Sequence, residues 1–396
     1  MDAVGVLGGI RFDQTLEQSG VSAGLSYFEE DDVIVAKITP CFENGKCALA
    51  ENVRGGRGLG STEFHVIRPG SAVFPRFLFY VVASAAFREL GEAQMYGAAG
   101  QKRVPADFIN DFLLSLPDRA AQRAIAAFLD VQTSRIDALM TKKQRLIELL
   151  DEERQALISR AVTQGLDLGL PMKASGVELL GRIPAHWSVR RIGSLATVVR
   201  GASPRPAGDP QYFNGDCTPW ITVGELTKDN RKYLDATETF LTAEGTKLSR
   251  LVQKGTLLLS NSGATLGIPK ITRVSGCIND GSVAFLRLMT EIDQEFLYYV
   301  LSASTKDLRG RLKQGAGQPN FNTALVKAMN VPLPPFHEQR RIVDALDDDF
   351  ERSTAMQGTI LSTIDPLREY RSALITAAVT GQLDLREHER KVEALA

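Results

Sequence analysis

A chain of 396 residues, 44% hydrophobic and 23% charged, has the composition of an ordinary globular protein, with room for two or three separately cored domains. Its formal net charge of −1 signals neither a polyanion partner nor a membrane surface, and its longest apolar stretch, FLFYVVASAAF at 77–87, falls well short of the roughly 20 residues that a spanning helix needs. Four cysteines (Cys41, Cys47, Cys217, Cys277) make no disulfide framework and MDAVGVLGGIRF has no signal-peptide pattern, so the expectation is a reduced, cytoplasmic protein.

Strand signals come first along the chain. DDVIVAKITP (31–40) is a short β-rich run closed by a turn residue. Beyond Pro117 the period changes. Ile125, Leu139 and Leu146 share one heptad position, and Leu129, Ile136, Leu150 and Leu157 share another. That is the spacing of a coiled-coil seam, interrupted by Gln132, Lys143 and Glu153. DLGLPMKASG (167–176) reads as a boundary, and β-rich runs return at KGTLLLSNSGATLG (254–267). After Pro334 a second helix carries its seam on Ile342, Leu346, Met356, Ile360, Leu367 and Leu374. Two equivalent narrow seams predict that the helices pair with each other; the alternative is that each packs on its own domain. STIDPLREYR predicts a break in the second helix, with Asp365 as N-cap and Pro366 opening a new segment. An interior proline removes a hydrogen bond and clashes with the preceding turn.

The chain repeats itself. LPDRAAQRAIAAFLD (116–130) recurs as LPPFHEQRRIVDALD (333–347), an offset of 217 that holds without a gap from Gln101/Gln318 to Leu168/Leu385. Gln122-Arg123 returns as Gln339-Arg340, and Leu129-Asp130 as Leu346-Asp347. Upstream, across a small gap, FLFYVVAS (77–84) matches FLYYVLSAS (296–304). The fold expectation is α+β: a tandem repeat whose unit is a mixed, mainly β domain followed by a long helix. The divisions fall at 1–117, 118–180, 181–334 and 335–396.

Charge is unevenly spread over these parts. Residues 181–334 hold 19 Lys/Arg against 12 Asp/Glu, and residues 1–117 hold 10 against 14. One basic domain in a neutral chain suits a polyanion met by one face. Its clusters VVRGASPRP (198–206), ELTKDNRKY (225–233) and KDLRGRLKQGAGQPN (306–320) nominate Arg200, Arg205, Lys228, Arg231, Lys232, Gln318 and Asn320. The two amides suit adenine edges and the cations suit phosphates. The first-repeat counterpart, MYGAAGQKRVP (95–105), adds Gln101, Lys102 and Arg103. The competing reading of each is a solvated basic loop.

Catalytic signatures are missing. No phosphate-binding loop is present; NSGATLGIPK (261–270) is a glycine-rich turn without the Lys-Ser/Thr that would follow. Cys41 and Cys47 have the wrong spacing for a metal site and no second pair, and His65, His186, His337 and His388 are scattered. No catalytic residue and no metal ligand is nominated.

With the repeat in view, the sequence resembles the specificity subunits of type I restriction-modification systems. The residues carrying the resemblance are GRIPAHW (181–187), PWITVGEL (219–226), SNSGATLG (260–267), GAGQPNFN (315–322), VPLPPFHEQRRIVDALD (331–347) and LREYRSALITAAVTGQLDL (367–385). In the first half they are VIVAKITPCFENGKCALA (33–50), GSTEFHVIRP (60–69) and LISRAVTQGLDL (157–168). The resemblance implies a non-catalytic DNA reader: two target-recognition domains, joined by two long helices forming an antiparallel, pseudo-twofold coiled coil, each read half of a split target. It implies double-stranded DNA, two adenine-methylating modification subunits and the restriction (translocase/nuclease) subunits as partners. No cofactor is expected on this chain; S-adenosylmethionine, ATP and Mg belong to the partners. The alternatives are the specificity chain of a system with a fused nuclease-methylase, and a coiled-coil scaffold with no nucleic-acid role.

Two departures stand out. Ala121 occupies the place of Glu338. Extending the register from VIVAKITP places the equivalent of Trp187 roughly 40 residues before Met1. The first recognition domain is therefore expected to be truncated at its N-terminus, started upstream, complemented by another chain, or impaired.

Overall fold

The computed structural model describes residues 2–12, 24–98, 100–167, 169–178, 180–261, 265–312 and 322–384. The chain forms two compact units, Met1–Leu146 with Gly358–Ala396, and Ile147–Gln357. Two long helices, Arg119–Gln164 and Phe336–Val379, each give one half to each unit. None of the described helices is long and apolar enough to cross a membrane.

In the first unit, Val33–Ala36 lies between Cys47–Leu49 and Phe64–Ile67 in an antiparallel sheet. All four residues of VIVA are buried, because both faces of the strand are covered. Alternation sends Val33 and Val35 into a core with Phe77, Phe87 and Leu129, while Ile34 and Ala36 enter another with Phe28, Val53 and Phe64. Full burial of such a side chain contributes about 1.5–3 kcal/mol. Beside the sheet, Ser26–Glu29 pairs with Arg57–Gly60, where Gly58 is required: a Cβ there would sit 2.2 Å from the Phe28 ring. Helix Pro75–Ala83 starts on proline, whose missing N–H costs nothing at a first helical turn. Leu374, Ile375, Ala378 and Val379 of the second long helix complete the first of these cores, and Arg371 bonds Asp137 at 2.9 Å.

The second unit repeats the plan on a larger scale. Leu257–Ser260 is central in a five-stranded sheet, with Pro269–Thr272 and Ser282–Leu286 on either side and Thr197–Arg200 and Tyr233–Leu234 at the edges. Leu257 and Leu259 face a core containing Phe285, Phe296 and Ile342; Leu258 faces another with Ile221 and Leu226. A four-stranded sheet contains the long strand Phe213–Ile221. The helix halves run antiparallel here: Asp151 meets Gln357 at 3.0 Å, Arg154 covers the Phe350 ring at 5.1 Å, and Asp167 lies 3.7 Å from Arg341.

The break expected at Pro366 is absent. The second long helix runs through it without interruption. Pro366 is exposed, so the Ser362 carbonyl that loses its intrahelical donor lies on a hydrated face. Buried Ile360 and Ile364 before the proline, and Arg371 and Leu374 after it, hold both sides in place, so packing overrides local propensity.

The expected seam also needs correction. Leu129, Ile136, Ile342, Leu346, Ile360 and Leu374 are buried, and Ile125, Leu150, Leu157 and Leu367 are half-buried. Leu139, Leu146 and Met356 lie off the buried face, 43%, 44% and 52% exposed. A helix of 3.6 residues per turn drifts away from a strict seven-residue repeat. In the first helix the burial moves from Leu129 to Thr133 and Ile136, rather than on to Leu139.

Candidate nucleic-acid interface

The basic loop after Thr197–Arg200 is organised by one acid. Asp280 accepts from Ser203 Oγ at 2.7 Å and from Arg205 at 3.1 Å, while its backbone carbonyl accepts from Arg200 Nε at 2.7 Å. Arg250 Nε donates to the Arg200 carbonyl at 2.7 Å, bringing a third guanidinium to the cluster. The Ser203 hydroxyl, with Arg205 and Arg200 adding their charge, outweighs burial and holds the Asp280 carboxyl below its usual range. The carboxylate thus fixes the loop while Arg200 and Arg205 stay exposed. Such exposed guanidiniums on a braced loop suit phosphate oxygens.

The other nominated residues divide. Lys228 is exposed but paired with Glu238, and Arg231 is exposed on the same loop. Lys232 does not face solvent. It is 9% exposed, donates to both oxygens of Asp347 at 2.6 Å, and lies over the Tyr233 and Tyr299 rings at 5.2 and 5.3 Å. These contacts tie the β-rich domain of the second unit to the helix, so Lys232 is taken up inside the fold and, contrary to the sequence expectation, is not presented to DNA. In the first unit, Gln101 and Lys102 are exposed on a loop that Thr39 braces by hydrogen bonds to Gly100 and Lys102. Arg103 is occupied by Glu63 through two bonds of 2.9 Å, and that pairing lowers the Glu63 carboxyl below its usual value. Gln318 and Asn320 lie outside the described residues.

The repeated phrase has a structural meaning that the sequence pattern did not disclose. Buried Gln122 accepts from the Phe74 N–H at 2.6 Å and donates to the Ala72 and Pro117 carbonyls at 3.0 and 2.8 Å. Buried Gln339 accepts from the Asp293 N–H at 2.8 Å and donates to the Glu291 and Pro334 carbonyls at 2.8 and 2.9 Å. Each glutamine staples the start of a long helix to the turn before the domain's own helix.

The pattern of the family described as type I restriction modification DNA specificity domain matches residues 184–365. The chain is 24% identical to the Type I restriction enzyme EcoEI specificity subunit of Escherichia coli, over 93% of this chain and 75% of that protein. It is 38% identical to the EcoAI specificity subunit of Escherichia coli, over 34% of this chain and 23% of that one. The similarity to type I specificity subunits is thus shown for residues 184–365 by the family pattern, and over most of the chain by relatives of low identity.

Solved structures agree on the fold. The chain superposes with a TM-score of 0.73 on one from a structure of assembly and conformational transition in a type I R-M system, at 21% identity, covering 92% of this chain and 85% of that one. The HsdS subunit from Thermoanaerobacter tengcongensis gives a TM-score of 0.53, also at 21% identity, covering 96% and 89%. The stretch matched by the family pattern contains a contact special to the second copy of the repeat. Buried Glu338 accepts from Trp187 Nε1 at 3.1 Å and bonds His186 Nε2 at 2.9 Å. The first copy carries Ala121 at that place.

Proposed function

We propose that this chain is the DNA-reading subunit of a type I restriction-modification complex, and that it reads a bipartite target with one β-rich domain per part. The observation that carries the reading is the duplicated glutamine staple. Two recognition domains are mounted on the same pair of helices by the same three bonds, so the chain presents two readers of one design. Arg200 and Arg205, with Arg250, supply phosphate contacts in the second domain; Lys228 and Arg231 extend that surface, and Gln101 and Lys102 serve the first domain. Gln318 and Asn320 are the candidates for adenine edges.

The chain itself carries out no chemistry in this reading. Modification subunits dock on the long helices and bring S-adenosylmethionine; restriction subunits bring ATP and Mg. Methylome sequencing of the host with and without the gene tests the proposal. The expected result is loss of adenine methylation at one split motif. An unchanged methylome in a host carrying active modification and restriction genes would overturn it.

A further inference from the structure

A second cavity-lined site lies in the second recognition domain, apart from the Asp280 loop. It has a volume of about 610 Å³ and is walled by Phe213, Trp220 and Phe240. Phe213 and Trp220 meet edge to face at 6.0 Å. Glu225 lines it and is only 8% exposed. One of its oxygens accepts from the Glu238 N–H at 2.8 Å; the other is buried with no hydrogen-bond partner among the described residues. Leaving a buried carboxylate oxygen unpaired is costly unless a ligand completes it. At the rim Lys228 is paired with Glu238 and is also felt by Glu225, so two carboxylates share one cation and the lining keeps one net negative charge.

We propose that this pocket takes the guanidinium of an arginine presented by a protein partner. A guanidinium is planar, stacks on aromatic faces, sheds water more readily than an ammonium, and offers several N–H donors to a carboxylate. Inside the cavity a phosphate is the poorer fit, because it would approach the Glu225 carboxylate, and a duplex would be met at the rim by Lys228 instead. The excess of Lys/Arg in this domain disfavours a freely diffusing cation, whereas an arginine on a docking protein arrives with binding energy contributed elsewhere. The site adjoins the proposed DNA-reading surface at Lys228, which lines its rim.

The full chain labelled with 5-fluorotryptophan carries two reporters, Trp187 and Trp220, assigned by Trp220→Phe. Titration with N-acetyl-arginine methylamide should move the Trp220 resonance saturably and leave that of buried Trp187 in place. The citrulline analogue should not bind, and Glu225→Gln should weaken the affinity about tenfold, the scale of one charge-assisted hydrogen bond. Phe240→Ala, which trims a wall and spares the carboxylate, provides a second variant and should also weaken binding. The proposal is overturned by an absent or non-saturable shift, by equal binding of citrulline, or by full affinity in both variants. Competition by cytidine, or tighter binding of free L-arginine than of the blocked form, would overturn it in favour of a nucleobase or a metabolite.

Discussion

Gln122 and Gln339 stand 217 residues apart and make the same three hydrogen bonds: one accepted from the backbone N–H just before a domain helix, two donated to backbone carbonyls. A primary amide is suited to this task, having both donor and acceptor at one planar end. Glutamate could accept but not donate, and a shorter side chain would not reach.

Replacing either residue by alanine strands buried backbone groups. Gln339→Ala leaves the Asp293 N–H and the Glu291 and Pro334 carbonyls without their partner, and each unsatisfied buried group costs about 1–3 kcal/mol. Gln122→Ala should do the same in the first unit. Hydrogen exchange should rise around residues 291–297 in the one variant and 72–78 in the other. Wild-type protection in either variant would show that the staple is dispensable there.

What the sequence disclosed here is instructive. The repeat, the fold class and the short β-rich runs were legible, because periodicity, composition and self-similarity are written in residue order. The staple was not, since two of its three partners in each copy are backbone atoms of a turn more than 40 residues away, with no side-chain signature. Lys232 was misread for a related reason. In ELTKDNRKY it looks like one more surface cation, and only the fold brings Asp347 and Tyr299 to it. The first unit answers Asp130, the counterpart of Asp347, with Tyr80 at 2.7 Å and with Arg76 at 3.6 Å, a cation from a different element. Pairwise charge balance was kept while the residue supplying it changed, and a linear reading cannot follow such a change.

Glu338 offers a second stability test. Glu338→Ala leaves the Trp187 indole N–H buried and unpaired, at a cost of about 1–3 kcal/mol. Glu338→Gln retains an acceptor for the indole and should recover part of that loss. Thermal unfolding followed by tryptophan fluorescence measures both. Equal stability of the alanine and glutamine variants would mean that the carboxylate contributes through packing alone.

Acid should release the basic loop. The folded-state value of Asp280 is lowered by Ser203, with Arg205 and Arg200 contributing. Its stabilisation is therefore present in full above the unfolded carboxylate value, about 3.9, and is lost as pH falls through the lower folded value. Asp280→Asn should melt earlier than wild type at neutral pH, and the gap should close below about pH 4. A gap that stays constant down to pH 3 would assign the effect to the lost hydrogen-bond geometry instead of the charge.

The contrast between exposed and buried cations separates affinity from stability. Arg200 and Arg205 are exposed, and Arg205 retains 70% of its side-chain surface despite its bond to Asp280. Each phosphate contact displaces counterions, so losing one flattens the slope of log K against log salt by about 0.9. The double variant Arg200→Ala/Arg205→Ala should therefore weaken DNA binding by the assembled complex and reduce that slope by about one to two, with little change in melting. Lys232→Ala should do the reverse. It breaks a nearly buried pair, but Asp347 is 37% exposed and can rehydrate, so the cost is about 1–3 kcal/mol rather than that of a fully buried bridge. Its salt slope should match wild type at a temperature where both are folded. If instead Lys232→Ala flattened the slope and the arginine pair did not, the DNA-facing surface would have to be confined to the loop at 225–233, with the Asp280 loop excluded from it.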